Sequence, residues 1–309
     1  MKTHLPDPQT RRIRFAPPAG LLLGSIVMAS IHAQLPDLNI GVDSVCLTWA
    51  PTGEECIVVC AESPDGPWTP VPVPIREVDG QHHAVVRCSD QQKYFRLAKG
   101  LCFTEGFEAT DLEGWTVLHW DPATEGIIIP EVSCGALRIH GPNAGFDSPL
   151  IALYRTDRAL ADFGLSLDIL DWAHEDGAGA NLAMIARLDP AFDPSSRVDP
   201  QAYFGCLVMS DNQDRRKSNL GFYTKYPDDW DYSPFERTDA AKDYRIEFTG
   251  VGNKLTLRLF ELGSGRLVHE FQEHYNKRDS GLVGFYVVDH DPTVDFRVDN
   301  FIAVGTTSE

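Results

Sequence analysis

The sequence lacks most of the short motifs that mark an enzyme or a metalloprotein. It has no Gly-x-Ser-x-Gly elbow, no His-Glu-x-x-His helix and no phosphate-binding loop, so the hydrolase, protease and nucleotide chemistries tied to those motifs have no support. Gly250-Val251-Gly252 fits a hairpin turn instead. Among the seven cysteines there is no Cys-x-x-Cys pair, and no histidine lies at zinc-finger spacing. The cysteine spacing therefore does not indicate a zinc site.

Long hydrophobic runs are also scarce. The one near the N-terminus, Gly20 to Ala29, follows arginines at positions 11, 12 and 14 and precedes Ala33. This order of basic, apolar and small residues is typical of a secretory signal, and we expect residues 1–33 to be removed by general secretion. The run is shorter than the roughly 20 apolar residues of a membrane helix. A retained anchor is the alternative; otherwise we expect no membrane span in a secreted, surface or periplasmic protein.

Basic residues are few for a chain of this size. There are 27 Lys and Arg against 45 Asp and Glu, a net charge of −18. Removal of residues 1–33 takes away four basic residues and one acidic residue, which leaves 23 against 44 and a net charge of −21. Such a chain repels nucleic acid and anionic lipid. Its charge suits neutral partners, cations, or simple solubility.

Disulfide pairing is left open by the sequence. An oxidising compartment would let some cysteines pair, but their spacing does not choose the pairs. The alternative is that several of them are unpaired and buried as small apolar side chains. The odd number leaves at least one free thiol or an intermolecular bond. The cysteines are Cys46, Cys56, Cys60, Cys88, Cys102, Cys134 and Cys206.

Residues 34–100 have the pattern of a small β-unit. Val45, Leu47 and Trp49 alternate with polar or small residues, as in a half-buried strand. Turn-forming residues separate the predicted strands Val45 to Trp49, Cys56 to Ala61, Trp68 to Pro72, His83 to Arg87 and Tyr94 to Ala98. Leu47-Thr48-Trp49, Gly66-Pro67-Trp68-Thr69-Pro70-Val71 and Tyr94-Phe95-Arg96-Leu97 resemble segments of fibronectin-type-III-like units. That resemblance implies a spacer or docking unit.

Residues 101–309 predict a larger antiparallel sandwich or jelly roll, so the whole chain is expected to be all-β. Tyr244, Ile246 and Phe248 alternate with charged residues, and a second alternating run follows the turn at 250–253, which predicts a hairpin. No long amphipathic helix is expected; Thr156 to Ala161 and Asp239 to Lys242 are the two segments that would fit a helical turn. Further strands are predicted at Ala136 to His140, Leu165 to Leu170, Asn181 to Leu188, Ala202 to Met209, Leu220 to Tyr223, Gly281 to Val287 and Val294 to Val298.

Both ends of this second unit resemble a known class. Phe107-Glu108 followed by Gly114-Trp115, and the closing Val298-Asp299-Asn300-Phe301, are similar to the first and last strands of exported carbohydrate-binding jelly rolls of the concanavalin-A-like, laminin-G-like type. The resemblance implies a lectin-like domain in which these strands are neighbours. It also implies a structural calcium ion held by Glu108 and Asp299, with Glu105 or Asp111 as further ligands. Ordinary strand-end acids are the alternative.

Catalysis of the concanavalin-A-like glycosidase type is not supported. Those enzymes carry a Glu-x-Asp-x-x-Glu strand, whereas the nearest segment here has Ser166 at the nucleophile position and Asp171 at the acid position. A glycan-active hydrolase or lyase that uses the acids of 171–176 remains an alternative by analogy with exported sugar-processing sandwiches such as 3-keto-disaccharide hydrolase-like domains. We name no catalytic residue.

Two stretches are candidates for ligand binding. The segment 171–177 supplies Trp172 and His174, with a solvated loop as the alternative. The aromatic stretch 223–235, which we expect to be a long loop, places rings among aspartates, which is the mixture that sugars require, and packing of the rings on the sandwich is the alternative. Its candidates are Tyr226, Asp229, Trp230 and Tyr232. We therefore expect a non-catalytic glycan-binding or surface-interaction protein whose partner is a polysaccharide or cell-surface glycan; a purely structural extracellular module is the other alternative.

Overall fold

The structure is a computed structural model built from strands and turns. It describes residues 37–40, 44–87, 93–108, 112–119, 129–142, 149–172, 180–192, 202–208, 218–225, 229–235, 238–239, 241–275, 278–289 and 293–307. These ranges contain no helix, so none in them is long and apolar enough to cross a membrane.

The strands are β1 Asp37–Ile40, β2 Ser44–Trp49, β3 Cys56–Ala61, β4 Thr69–Pro70, β5 Arg76–Val78, β6 Gln81–Arg87, β7 Tyr94–Lys99, β8 Leu101–Glu105, β9 Trp115–His119, β10 Ile129–Ser133, β11 Ala136–Pro142, β12 Pro149–Leu160, β13 Phe163–Leu170, β14 Ala180–Leu188, β15 Tyr203–Val208, β16 Ser218–Lys225, β17 Asp229–Phe235, β18 Tyr244–Val251, β19 Lys254–Glu261, β20 Leu267–His274, β21 Gly281–Asp289 and β22 Thr293–Gly305.

Strands β8 to β22 form two antiparallel sheets. The eight-stranded sheet has the order β10-β11-β22-β13-β18-β19-β20, with β8 also paired to β22, and the seven-stranded sheet has the order β17-β16-β15-β14-β21-β12-β9. One continuous hydrophobic core lies between them and includes Leu167, Phe248 and Phe285, each 0% exposed. The all-β antiparallel sandwich expected from the sequence is confirmed.

The alternation of apolar and polar residues that predicted the hairpin of β18 and β19 places the apolar side chains in the core. In β18 the residues Tyr244, Ile246 and Phe248 are buried while Arg245 and Glu247 are only partly covered. Ile246 lies opposite Leu259 of β19, and the turn contains Gly252 with a positive φ of 54°. Because side chains alternate between the two faces of a strand, one apolar row faces the second sheet and one polar row faces outward.

Strands β1 to β7 form two small antiparallel sheets that we call the N-terminal unit. Their orders are β1-β2-β6-β5 and β4-β3-β7, and they enclose a core with Leu47, Trp49 and Val58. The unit packs on the outer face of the eight-stranded sheet, where Ile57 and Val59 join a buried cluster with Ile302 and Val304. Its likeness to fibronectin type III, and the boundary at residue 100, stay predictions.

A proline-rich segment packs between this unit and the sandwich. In 70–75, prolines alternate with Val71, Val73 and Ile75, and the three aliphatic side chains pack against the core of the N-terminal unit. On the other side the backbone runs over Gly164 of β13, where a Cβ would lie 2.8 Å from the Pro70 carbonyl oxygen. Proline has no N–H to leave unsatisfied, so this segment crosses the sheet without losing a donor.

Two local expectations are wrong. Thr156 to Ala161 forms no helical turn, because β12 continues through Leu160 and its pairing with β21 jumps from Arg155 to Ala159. The intervening polar residues belong to a β-bulge, which exposes them without ending the strand. The aromatic stretch is likewise not one long loop, since 229–235 forms β17 and pairs with β16.

Candidate functional site

The β16–β17 hairpin places the aromatic stretch at one edge of the seven-stranded sheet. Strand β17 pairs with β16 on one side only, and Tyr232 lies opposite Gly221. A Cβ on Gly221 would lie 2.8 Å from the Cβ of Tyr232, so only glycine leaves room for the tyrosine there. The Tyr232 side chain is 56% exposed, and it is one of four large hydrophobic side chains exposed in the described part of the chain.

The polar side chains of β17 alternate with Tyr232 and reach toward strand β20 of the other sheet. The hydroxyl of Tyr275, just after β20, donates to Asp231 Oδ2 at 2.6 Å, and Ser233 Oγ lies 3.0 Å from His269 Nε2. The ring of Phe235 stacks on the His269 imidazole with centroids 4.9 Å apart. Burial lowers the pKa of His269, so its neutral form is favoured. These contacts join the two sheets and hold β17 in place.

The residue row that contains Tyr232 runs across the outer face of the seven-stranded sheet. From Gly221 the register passes to Cys206, then to Ala183 and to Tyr286. Gly221, Cys206 and Ala183, which have small side chains or none, separate the two tyrosines of this row. Cys206 is 4% exposed and Tyr286 is 8% exposed, so the open part of the row is its Tyr232 end.

The structure exposes one of the predicted aromatic ligand residues and buries another. Tyr232 is exposed, whereas Trp172 is 1% exposed and its Nε1 donates to the Lys242 carbonyl oxygen at 2.9 Å. An indole buried in the core with its N–H satisfied has no face left for a ligand, so the expectation for Trp172 is wrong. Asp229 and Trp230 are placed by their backbone in β17. His174 and Tyr226 lie outside the described residues.

The charges of Glu108 and Asp299 influence each other, and the first and last strands of the sandwich are neighbours, as expected. Strand β8 pairs with β22, with Glu105 opposite Phe301. Burial, followed by the charges of Asp168 and Glu108, raises the pKa of Asp299. Glu105 is already engaged, because its Oε1 accepts the Phe107 N–H at 2.9 Å.

Asp168 is the third carboxylate near Glu108 and Asp299, and it forms an ion pair with Arg245. Asp168 is 2% exposed; it accepts hydrogen bonds from both Nε and Nη2 of Arg245, and Asn300 Nδ2 donates to its Oδ2 at 3.0 Å. Asn300 also donates to Asp299 from its backbone and side chain. Within the ranges that the structure describes, no group of three or more His, Cys, Asp or Glu residues is placed to hold a metal ion.

The segment that corresponds to the glycosidase strand is β13 together with Asp171, which follows it. Ser166 and Asp168 lie on the outer face of the eight-stranded sheet, and both are buried. Asp171, which follows β13, is exposed and pairs with Arg297 at 3.0 Å. Asp168 is neutralised by Arg245, so this strand presents no free pair of carboxylates to a substrate.

Sequence reasoning missed the residues that support the hairpin. Tyr275 and His269 were not singled out, because their partners Asp231 and Ser233 are distant in sequence and belong to another sheet. One signal was available. Trp230 and Tyr232 alternate with Asp231 and Ser233, which is the period of a strand with two different faces.

Comparison with known proteins shows likeness at the level of fold. No protein-family model matches the chain, and no curated protein matches it. Among solved structures, basic winged bean lectin with Tn-antigen is 11% identical over 67% of this chain and 98% of its own, with a TM-score of 0.45. Lectin I of Ulex europaeus with the methyl glycoside of α-L-fucose is 11% identical over 67% and 98%, with a TM-score of 0.46.

Peanut lectin with a nine-residue peptide gives a similar result, at 9% identity over 68% of this chain and 100% of its own, with a TM-score of 0.47. At such identities the likeness is one of fold alone: an antiparallel jelly-roll sandwich of the architecture found in lectins.

Proposed function

We propose that this is an exported, non-catalytic protein that binds glycans through the β16–β17 hairpin, with the Tyr232 ring as the surface on which a sugar stacks. The observation that carries the proposal is the 56% exposure of Tyr232 on an ordered strand. An exposed ring offers an apolar face to the C–H side of a sugar. Because β17 is held by contacts to β20, the ring is presented with little loss of backbone entropy on binding.

The position of the N-terminal unit supports the choice of this surface. That unit covers part of the outer face of the eight-stranded sheet, where Ile302 and Val304 are buried beneath it. The Tyr232 edge belongs to the other sheet. Asp231 is exposed at the same edge but on the opposite face of β17, where one of its oxygens accepts from Tyr275. We therefore assign only the Tyr232 ring to the sugar.

A polysaccharide array with purified mature protein tests the proposal. Tyr232→Ala should weaken binding to the best polysaccharide about tenfold, which corresponds to roughly 1.4 kcal/mol, while Tyr232→Phe should retain it within about threefold. Val85→Ala is the matched control, since Val85 is also 56% exposed but lies in the N-terminal unit. Equal affinity of Tyr232→Ala and the parent protein would remove Tyr232 from the site.

The same array distinguishes the alternatives. Release of reducing ends by the parent protein would favour the hydrolase or lyase. Absence of both binding and release across the array would favour a structural module.

Export is tested separately by N-terminal sequencing of protein from the producing cells. The mature chain should begin at Gln34, and a start before residue 20 would favour a retained anchor.

Calcium enters the proposal as a structural ion between Glu108 and Asp299. Carboxylate oxygens suit calcium, and a bound cation would relieve the repulsion from Asp168 and Glu108 that contributes to the raised pKa of Asp299. The pair supplies two carboxylates of the roughly six to eight oxygen ligands, so carbonyls and water would complete the set. Added calcium should raise the melting temperature of the parent protein but not of Asp299→Asn, compared with EDTA. Identical melting in calcium and EDTA would contradict this part.

A further inference from the structure

The N-terminal unit has one sheet face that the rest of the described chain leaves open. The sheet β1-β2-β6-β5 buries Leu47, Trp49 and Val86 in the core of the unit. Because side chains alternate along a strand, Val85 of β6 and Val78 of β5 point away from that core, and they are 56% and 48% exposed. We call the outward residues of β5 and β6 the distal face: Arg76, Val78, Gln81, His83, Val85 and Arg87.

The distal face carries two cations that have no partner. Arg76 lies opposite His83, and Arg87 is two positions from Val85, so both arginines are on the same side of the sheet as the exposed valines. Within the described residues, neither arginine makes a hydrogen bond, an ion pair or a ring contact. Arginines of the sandwich that pair with acids include Arg245, Arg258 and Arg297.

The acids of this sheet lie elsewhere. Glu77 of β5 is opposite His82, whose ring is 5.7 Å from the inward-facing Trp49 ring, so Glu77 belongs to the other side of the sheet. Asp37 of β1 is opposite Thr48, across β2 from β6. In a chain with 45 acidic and 27 basic residues, the distal face is therefore a local patch of the opposite sign. At about 0.1 M salt, charges act over roughly 10 Å, so a group that approaches this face meets the two arginines first.

We propose that the distal face binds an acidic segment of a partner protein, with an apolar side chain of the segment packed on Val85 and its carboxylates paired with Arg76 and Arg87. Protein–protein interfaces commonly combine an apolar centre with a polar rim, and arginine is enriched in them. A guanidinium also offers a carboxylate two parallel hydrogen bonds. Both arginines are unpaired in the described structure, so binding breaks no existing ion pair.

The chemistry of the distal face favours a polypeptide over a glycan. Trp49 is the only Phe, Tyr or Trp residue in strands β1, β2, β5 and β6, and it is 4% exposed. These strands therefore offer no such ring to the C–H side of a sugar. An anionic polysaccharide would pair with the arginines but would leave Val78 and Val85 in water. The two kinds of ligand thus differ in whether Val85 contributes to binding.

Neighbouring groups position the face. A Cβ on Gly265, in the turn between β19 and β20, would lie 3.1 Å from the Arg87 Cζ, so the guanidinium rests beside this turn. His83 Nδ1 lies 3.2 Å from Thr48 Oγ1, which joins β6 to β2 on the same side of the sheet. Residues that are already ordered lose less entropy when a partner binds.

Fluorescence polarisation with labelled synthetic peptides and the full mature chain tests the proposal. The probe is a peptide of four Glu-Glu-Leu repeats, and the comparison peptides have Ser in place of Leu or Gln in place of Glu. At low salt, the Glu-Glu-Leu peptide should bind about fivefold more tightly than the Glu-Glu-Ser peptide, because leucine covers Val85. It should bind at least about tenfold more tightly than the Gln-Gln-Leu peptide, because only glutamate pairs with the arginines.

Two substitutions of the distal face separate its apolar and charged parts. Val85→Ser should remove the preference for leucine over serine, and Arg76→Glu should weaken binding of the Glu-Glu-Leu peptide about tenfold. The matched controls are Leu267→Ser, at a 46% exposed position of β20, and Lys99→Glu, at an exposed position of β7. Both controls should stay within about twofold of the parent.

Several results would overturn the proposal. One is the absence of saturable binding of the Glu-Glu-Leu peptide up to about 1 mM. Another is equal loss of binding in Arg76→Glu and Lys99→Glu, which would show that only the net charge matters. Heparin supplies the polysaccharide arm: if it displaces the peptide, and Val85→Ser binds the peptide as tightly as the parent does, the face takes anionic polymers through its charge alone. None of these results depends on the glycan array, because Tyr232 lies outside the distal face.

Discussion

The indole Nε1 of Trp172 donates a hydrogen bond to the backbone carbonyl oxygen of Lys242 at 2.9 Å. The ring also packs edge-on against Tyr244, with centroids 6.3 Å apart. Lys242 in turn extends its ammonium group to Glu261 Oε2 at 2.9 Å. Trp172 therefore connects the end of β13 to the turn before β18 and, through Lys242, to the end of β19.

Trp172→Phe tests this structural role. The substitution keeps an aromatic ring but leaves the Lys242 carbonyl without its donor, so the free energy of unfolding should fall by about 1–2 kcal/mol. Urea denaturation measures this loss. Trp172→Ala should cost about 3–5 kcal/mol because it also empties the ring's volume. Glycan affinity of the folded Trp172→Phe protein should be unchanged, and an affinity loss larger than that of Tyr232→Ala would return Trp172 to the binding site.

The sequence revealed the sandwich where local pattern and tertiary environment agree. Strands β18 and β19 each bury the apolar side chains of one face, so the period of two in the sequence identified their hairpin and its turn. It did not reveal that Asp168, at the centre of a predicted strand, would be bound by Arg245, a residue 77 positions away. Whether a polar side chain at an outward position meets water or a partner depends on what packs over it.

The candidate site was predicted only in part, because the exposure of an aromatic side chain also depends on what packs over it. Tyr232 and Trp172 have the same local signature, an aromatic ring among acids, yet one is 56% exposed and the other 1% exposed. Trp172 follows a strand of the eight-stranded sheet whose end is closed by the turn at 241–243, whereas Tyr232 lies on an edge strand. Sheet order decides between these environments, and composition does not specify sheet order.

A second prediction concerns Arg187, a buried cation that joins three turns. Its Nη1 donates to the carbonyl oxygens of Gly252 and Arg278, both at 2.8 Å, and its Nε donates to that of Ala161 at 3.0 Å. Arg187→Met should lower the free energy of unfolding by about 3 kcal/mol or more, because three backbone carbonyl oxygens lose a charged donor together. Chemical denaturation gives the value. Arg76→Met, at an exposed position of β5, should stay within about 0.5 kcal/mol. A loss below about 1 kcal/mol for Arg187→Met would mean that water replaces the guanidinium.

The third prediction is a pH dependence at Glu261. Hydrogen bonds from Lys242 and Ser264 lower the pKa of Glu261 to about 2. A carboxyl whose folded pKa is depressed contributes stability above its unfolded pKa and loses it as pH falls toward the folded value. Glu261→Gln should therefore melt at a lower temperature than the parent at neutral pH, and the two should converge toward about pH 2. Glu77→Gln in exposed β5 is the control and should follow the parent throughout. A constant difference at all pH values would show that Glu261 acts through packing or neutral hydrogen bonds alone.

The fourth prediction tests the close approach of the N-terminal unit at Gly164. A Cβ there would lie 2.8 Å from the Pro70 carbonyl oxygen and 3.1 Å from Pro72 Cδ, so Gly164→Ala should shift the proline-rich segment and cost about 1–3 kcal/mol. Gly263→Ala is the matched control, since a Cβ at Gly263 meets nothing within 4 Å. Thermal unfolding distinguishes the two. Equal stability of both variants would mean that the segment has room to move.

The last prediction concerns how far the open surface beside Tyr232 extends. Cys206 lies two positions along the same row, and burial raises the pKa of its thiol to about 12, with Sγ 3.6 Å from the Tyr286 hydroxyl. In the native protein, iodoacetamide at about pH 8 should modify the exposed Cys134 at least about 100 times faster than Cys206. Both should react equally after denaturation. Because a thiol that reagents cannot reach is also beyond the reach of a sugar ring, slow labelling confines the glycan surface to the hairpin edge. Rapid native labelling of Cys206, blocked by a bound polysaccharide, would instead extend that surface across the sheet toward Tyr286.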